Sequence, residues 1–186
     1  NEGKMKEIRE ILNGTGWNVL SLKDAGIDTE IEENGTTFEE NSYIKAAEAA
    51  KIMGIPALAD DTGLCVDALD GRPGLYSARY APDQKSKIEK LLGEMQNIPK
   101  DKRNAHFTCT MTLVNPYGTK LHTQTGKIEG YIDTKPHGGH GFGYDPIFFI
   151  PELNKTMADL KPEEKNTLSH RARALLPMIE WIKQNM

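Results

Sequence analysis

Two adjacent carboxylates, Asp60 and Asp61, follow the apolar run Pro56-Ala57-Leu58-Ala59 and precede Thr62-Gly63. This order reads as a short buried strand that delivers acids at its C-terminal end, where α/β sheets place ligand crevices. Neighbouring strand residues point to opposite faces, so one acid at most aims into a given site. A strand-end turn capped by Asp61 or Thr62 fits the same four residues. A second acidic source, Glu32 and Glu33, stands ahead of a helix start. Mg2+ takes one or two protein carboxylates and completes its shell with phosphates and water, so one acid from each segment meets that need. Taken alone, residues 30–33 also fit a solvated charge run.

Cations for an anionic substrate come from several segments. Lys4 lies at a helix start after Asn1-Glu2-Gly3, where free backbone N–H groups favour an anion. Lys45 falls inside a second helix, four residues after Asn41 and three before Glu48; a surface pair with Glu48 is the plain alternative. Arg79, in Tyr76-Ser77-Ala78-Arg79-Tyr80, suits a ligand or a subunit contact equally. A glycine loop over residues 138–143 runs into Phe142-Gly143-Tyr144-Asp145-Pro146. Glycines admit a flat ligand, Phe stacks on it, and Asp accepts base N–H groups. The alternative is a connection whose aromatics belong to the core. His137 and His140 lack further ligands at metal spacing and read as solvated. Ser169-His170-Arg171 begins the last helix with Ser169 as cap. Cations are disfavoured in a first turn, so Arg171 there hints at a purpose. Its guanidinium only donates, which suits a purine 6-oxo group and refuses a 6-amino group.

The elements that must position these residues are legible in part. Met5, Ile8, Ile11 and Leu12 share one face of a helix over residues 4–12, ended by Asn13-Gly14. Residues 17–22 read as a strand. Thr37 and Glu40 form a capping box for a helix that runs to Met53 and stops at Gly54. Strands are expected over 56–59, 64–68 and 147–150, and helices over 86–95 and 169–184. Alternation over 105–114, the turn Asn115-Pro116-Tyr117-Gly118 and a partner at 120–125 make a hairpin. The class is α/β, a mixed sheet with flanking helices. The chain has 186 residues, 38% hydrophobic and 27% charged, the size and mix of one globular domain. A net charge of −4 argues against a nucleic-acid polymer as partner but leaves a mononucleotide open. No apolar run approaches the roughly 20 residues of a membrane helix, so no membrane partner is expected. Cys65 and Cys109 lack metal or redox spacing and read as reduced thiols, which suits the cytoplasm.

The ordered set Asn1-x-x-Lys4, Phe38-x-x-Asn41-x-x-x-Lys45-Ala46, Ala59-Asp60-Asp61-Thr62-Gly63-Leu64, Gly74-Leu75-Tyr76-Ser77-Ala78-Arg79-Tyr80, Gly141-Phe142-Gly143-Tyr144-Asp145-Pro146 and Ser169-His170-Arg171 closely resembles the inosine triphosphatase family. The match spans nearly the whole chain in order. The resemblance implies hydrolysis of XTP, ITP and dITP to the monophosphate and pyrophosphate with Mg2+. It implies Asp61 as the catalytic acid and metal ligand, with Glu32 as second ligand and Glu33 as the neighbour that a small gap leaves open. Asn1, Lys4, Lys45 and Lys165 match phosphate-binding positions, and Thr62 lines the pocket. Phe142, Gly143, Tyr144 and Asp145, with His170 and Arg171, match the base-reading set. The implied fold is an elongated mixed α/β structure with two lobes around a central cleft, usually a homodimer. Residues 1–186 are expected to form one such domain, whose first strand is expected ahead of Asn1. The rival readings are a house-cleaning pyrophosphatase with another base preference and a non-catalytic nucleotide-binding module. Intact acids disfavour the second, since a binder needs no carboxylate to activate water.

Overall fold

Helix α1, Glu2–Leu12, starts where Asn1 Oδ1 accepts the Lys4 backbone N–H at 3.1 Å. In α2, Phe38–Met53, the Thr37 hydroxyl accepts the Glu40 N–H at 3.0 Å, and Gly54 ends the helix at a left-handed φ of 67°. Glu40 departs from the expected box. Its carboxylate reaches mainly to Thr36, accepting from the backbone N–H at 2.6 Å and the hydroxyl at 2.8 Å. The loop before α2 is thereby tied down one residue further out. This computed structural model describes residues 1–29 and 31–186; Glu30, part of the acidic run, lies outside the described residues.

Two expectations need correction. Residues 17–22 form no strand. Asp24 accepts from the Ser21 N–H and hydroxyl at 2.7 Å each, and Trp17 N–H donates to the Thr15 hydroxyl. Such local side-chain bonds compete with a ladder. The two short strands expected over 56–59 and 64–68 are one strand, β1, Ala57–Val66. Asp60 and Asp61 therefore sit in mid-strand and not at its end. Asp-Asp-Thr-Gly has turn composition, but pairing within a sheet overrides that local preference.

Helix α3, Gln84–Glu94, follows, capped by Asp83. Then come β2, Asn104–Val114, and β3, Lys120–Ile132, joined by a turn in which Asn115 Oδ1 accepts from Tyr117 and Thr119. β3 continues well past the expected partner at 120–125. Next are β4, Phe148–Ile150, and β5, Lys155–Thr156, then α4, Pro162–Leu168, and α5, His170–Asn185. The sheet runs β1-β2-β3-β4-β5. β4 lies antiparallel to both neighbours, with Ile132 opposite Phe148 and Phe149 opposite Thr156. The fold is mixed α/β, as expected.

The chain forms two compact units: Asn1–Asp61, Cys109–Gly126 and Arg171–Met186 make unit 1, and Thr62–Thr108 and Lys127–His170 make unit 2. Each has its own core. In unit 1, Leu12, Cys109, Met111, Leu113, Leu175 and Met178 pack with Ile8 and Ile11 of α1. In unit 2, Leu64, Leu91, Phe107, Ile132, Phe148 and Leu160 are among the buried set. Both cysteines are reduced thiols, Cys65 half-buried and Cys109 buried. Among the described residues, no helix is long and apolar enough to cross a membrane.

Candidate active site

The chemistry-bearing side chains of unit 1 converge on the middle of β1. Strand alternation sends Asp60 and Asp61 to opposite faces. Asp60 Oδ2 accepts from Lys4 Nζ of α1 at 2.7 Å. Asp61, 5% exposed, meets α2: its Oδ1 lies 3.1 Å from Lys45 Nζ, and its Oδ2 accepts from Asn41 Nδ2 at 3.2 Å. Lys45 Nζ also holds Glu33 Oε1 at 3.0 Å. Lys45 is thus no ordinary surface lysine; Glu48 pairs instead with Lys51. Asn41 and Lys45 reach one acid together because residues four apart share a helix face.

Two carboxylates already share one cation here, and a divalent ion with phosphate and water completing its shell suits that donor set. The pair is Glu33 and Asp61. Glu32 is exposed and lines a shallow surface depression with Tyr43, Ile44 and Glu48. Burial raises the Asp61 carboxyl above the usual range against the opposing pull of Lys45, while the Glu33 charge raises it further. Burial alone would depress the Lys45 ammonium; the charges of Asp61, Asp60 and Glu33 outweigh it and raise its pKa.

Arg171, in the first turn of α5, is 1% exposed and paired with Glu7 of α1. Burial works against its charge, and Asp60 and Glu7 more than restore it. Lys4 and Glu7 share a face of α1, so their i,i+3 spacing was the available sequence signal for this buried ion network. Asn1 is exposed and serves as the α1 cap.

Unit 2 holds the other sequence-derived residues. Asp145, 3% exposed, accepts at Oδ2 from the Phe142 N–H at 2.8 Å and from Lys165 Nζ at 2.6 Å. Lys165 Nζ lies 4.8 Å from the centroid of the half-buried Phe142 ring. Lys165, carried by α4 in unit 2, thus pairs with the residue that closes the glycine loop. At Gly141, with φ 76°, any Cβ would strike the Asp145 carboxylate, so glycine is required there. Tyr144 is buried and its hydroxyl donates to Ser77 O at 3.0 Å. Gly143 joins these at φ 63°, and Thr62 is half-buried in β1 just after Asp61. His170 is buried and stacks on Phe107 with ring centroids 4.7 Å apart. His137 and His140 are exposed.

The sequence profile of the Ham1 family matches residues 1–181. A dITP/XTP pyrophosphatase of Geobacter sulfurreducens is 51% identical over 178 residues, which cover 94% of this chain and 89% of that one. A dITP/XTP pyrophosphatase of Bacillus subtilis is 50% identical over 178 residues with the same coverage. Among solved structures, a HAM1 protein from Coxiella burnetii matches with a TM-score of 0.89 at 39% identity, covering 99% of this chain and 95% of the other. The Ham1 protein of Staphylococcus aureus gives 0.86 at 38% identity, with 100% and 96% covered. Fold, order of motifs and identity over nearly the full length agree, and this chain belongs to the Ham1 family.

Proposed function

We propose that this chain hydrolyses the non-standard purine nucleoside triphosphates XTP, ITP and dITP to the monophosphate and pyrophosphate, with Mg2+ held by Glu33 and Asp61. The names of its half-identical relatives carry dITP/XTP pyrophosphatase activity, which supports this reading. The observation that carries the site is the meeting of Glu33 and Asp61 on one ammonium, at 3.0 and 3.1 Å. When bound, Mg2+ supplies neutralisation of phosphate charge and a more acidic water. Asp61 accepts the proton of the attacking water. Lys45 and Lys4 neutralise the triphosphate, and Asn1 with the start of α1 adds backbone donors. Water attacks the α-phosphorus, the bond to the bridging oxygen breaks, and pyrophosphate leaves.

Base reading falls to Phe142, Gly143, Tyr144, Asp145, His170 and Arg171, with Thr62 lining the pocket and Lys165 among the phosphate-binding lysines. Phe142 offers the stacking face. Asp145 and Lys165 hold its loop in shape through the bonds described above. Residues 1–186 make one family domain, in line with a profile match over 1–181. The protein works as a homodimer in the cytoplasm. Tyr76 is 60% exposed with Arg79 5.0 Å over its ring, an aromatic–arginine surface of the kind subunit contacts use. The reduced thiols of Cys65 and Cys109 fit a reducing compartment.

The test compares three variants in ITP hydrolysis across a Mg2+ series. Asp61→Asn keeps the fold and loses turnover by about 10²-fold or more, since an amide neither binds the cation as an anion nor takes a proton. Glu33→Gln raises the Mg2+ requirement, and Glu32→Gln behaves as wild type. A metal requirement that moves with Glu32 and not Glu33 returns the second ligand to position 32.

A further inference from the structure

Asn41 is 0% exposed, and both edges of its amide are engaged. Oδ1 accepts the Gly35 N–H at 2.8 Å, and Nδ2 donates to Asp61 Oδ2 at 3.2 Å. A backbone donor on one side and a carboxylate on the other leave the amide a single orientation. Asp61 Oδ2 is thereby fixed, and Oδ1 is turned to the side where Lys45 and Glu33 lie. Gly35 stands two residues after Glu33, at most about 7 Å of extended chain. One buried side chain therefore ties the strand that carries Asp61 to the loop that carries Glu33. The loop comes this near because residue 35 is glycine. A Cβ there would meet Asn41 Oδ1 and Glu40 Cβ at 2.7 Å and Asn41 N at 3.0 Å.

We propose that Asn41 is a positioning residue for cation binding, its amide setting the Asp61 carboxylate and the Glu33 loop in one shared arrangement. The inference rests on the reading that Glu33 and Asp61 hold the divalent cation. A leucine of similar shape fills the same volume but makes neither bond. Gly35→Ala attacks the same link from the other end, leaving Asn41 and every charge in place.

The experiment uses the full-length chain with Asn41→Leu, Gly35→Ala, Glu33→Gln and Asp61→Asn. Amide hydrogen exchange is read at Gly35 without metal. Mn2+ is then titrated without nucleotide, and its midpoint taken from paramagnetic broadening of amide signals around residue 61. Finally, ITP hydrolysis is followed against Mg2+. Asn41→Leu and Gly35→Ala speed exchange of the residue-35 amide and raise the Mn2+ midpoint, each by about tenfold, the upper end of what one lost hydrogen bond is worth. Their KM for ITP holds, and high Mg2+ restores kcat. Exchange in α3 stays as in wild type, which separates this effect from general loosening. If Asn41→Leu fails to fold, Gly35→Ala decides alone. Exchange and midpoint within about twofold of wild type overturn the proposal, as does a kcat loss that Mg2+ does not restore. Where Glu33→Gln and Asp61→Asn shift the Mn2+ midpoint but these two variants do not, only the role of Asn41 falls. Where Glu33→Gln and Asp61→Asn leave it unmoved, the metal reading falls and takes the inference with it.

Discussion

At the scale of single residues, Lys45 has two duties that substitution can separate. It stands between Asp61 and Glu33, and in the proposed mechanism it also opposes phosphate charge. Lys45→Met removes the cation and leaves two acids facing each other on a mostly buried patch. The loss of such a part-buried pair costs about 1–2 kcal/mol, between the surface and fully buried cases. For a chain of this size that lowers the melting temperature by about 2–8 °C. Added Mg2+ recovers part of the drop by standing in for the ammonium. A melting curve unchanged from wild type and indifferent to Mg2+ contradicts the opposition of the two acids. Arg171 makes a second residue-scale prediction. Its guanidinium is held by Glu7 and offers only donors, so in its proposed base-reading role the 6-amino group of adenine would meet no acceptor. Sites built around such bonds discriminate by about 10⁴. Arg171→Ala also strips Glu7 of that partner, costing roughly 3 kcal/mol, so kinetics belong well below the melting point. The ratio of kcat/KM for ITP to that for ATP narrows by about 10²-fold or more. An unaltered ratio means Arg171 does not read the base.

At the scale of elements, the turn before α3 is tied to that helix by a titrating pair. Glu94 accepts from the Tyr80 hydroxyl at 2.6 Å and from Arg72 at 2.8 Å. The Tyr80 bond, then Arg72, holds the Glu94 carboxyl below its usual range, and burial with Glu94 pushes the phenol up to about 12. A folded carboxyl pKa below the unfolded one gives stability that is present above the unfolded value. It is lost as pH falls through the folded value. Tyr80→Phe therefore lifts the Glu94 pKa toward the ordinary carboxylate value and flattens the acid side of the stability curve. Carboxyl NMR titration checks it; a Glu94 pKa that stays low assigns the depression to Arg72 alone. Element existence was readable where pattern and cap agreed. Asn1, Thr37 and Asp83 cap α1, α2 and α3, and of these Thr37 is the one that the sequence alone marks as a cap. What stayed hidden was tertiary. No local signal shows that β1 runs through Asp-Asp-Thr-Gly, because its neighbour β2 is over 40 residues downstream. The spacing of Asn41 and Lys45 placed both on one face without naming Asp61 as their target. The choice between Glu32 and Glu33 depends on the path of an irregular loop, which side-chain periodicity does not encode.

At the scale of the whole molecule, β1, β2 and β3 each begin in one compact unit and end in the other, and the break between His170 and Arg171 falls in the first turn of α5. Residues adjacent in a motif are thus shared out: Asp61 to unit 1 and Thr62 to unit 2, His170 to unit 2 and Arg171 to unit 1. Motif order along the chain, rather than proximity in sequence, identified the family. A net charge of −4 fits a small anionic substrate met by a few local lysines, not a polymer held by a general positive field. Hydrolysis at the α-phosphorus leaves an isotopic signature in the products. ITP is turned over in ¹⁸O-labelled water with Mg2+, and the products are weighed by mass spectrometry. Attack at the α-phosphorus yields IMP carrying one ¹⁸O together with unlabelled pyrophosphate; label in the pyrophosphate, or IDP with orthophosphate, rules it out.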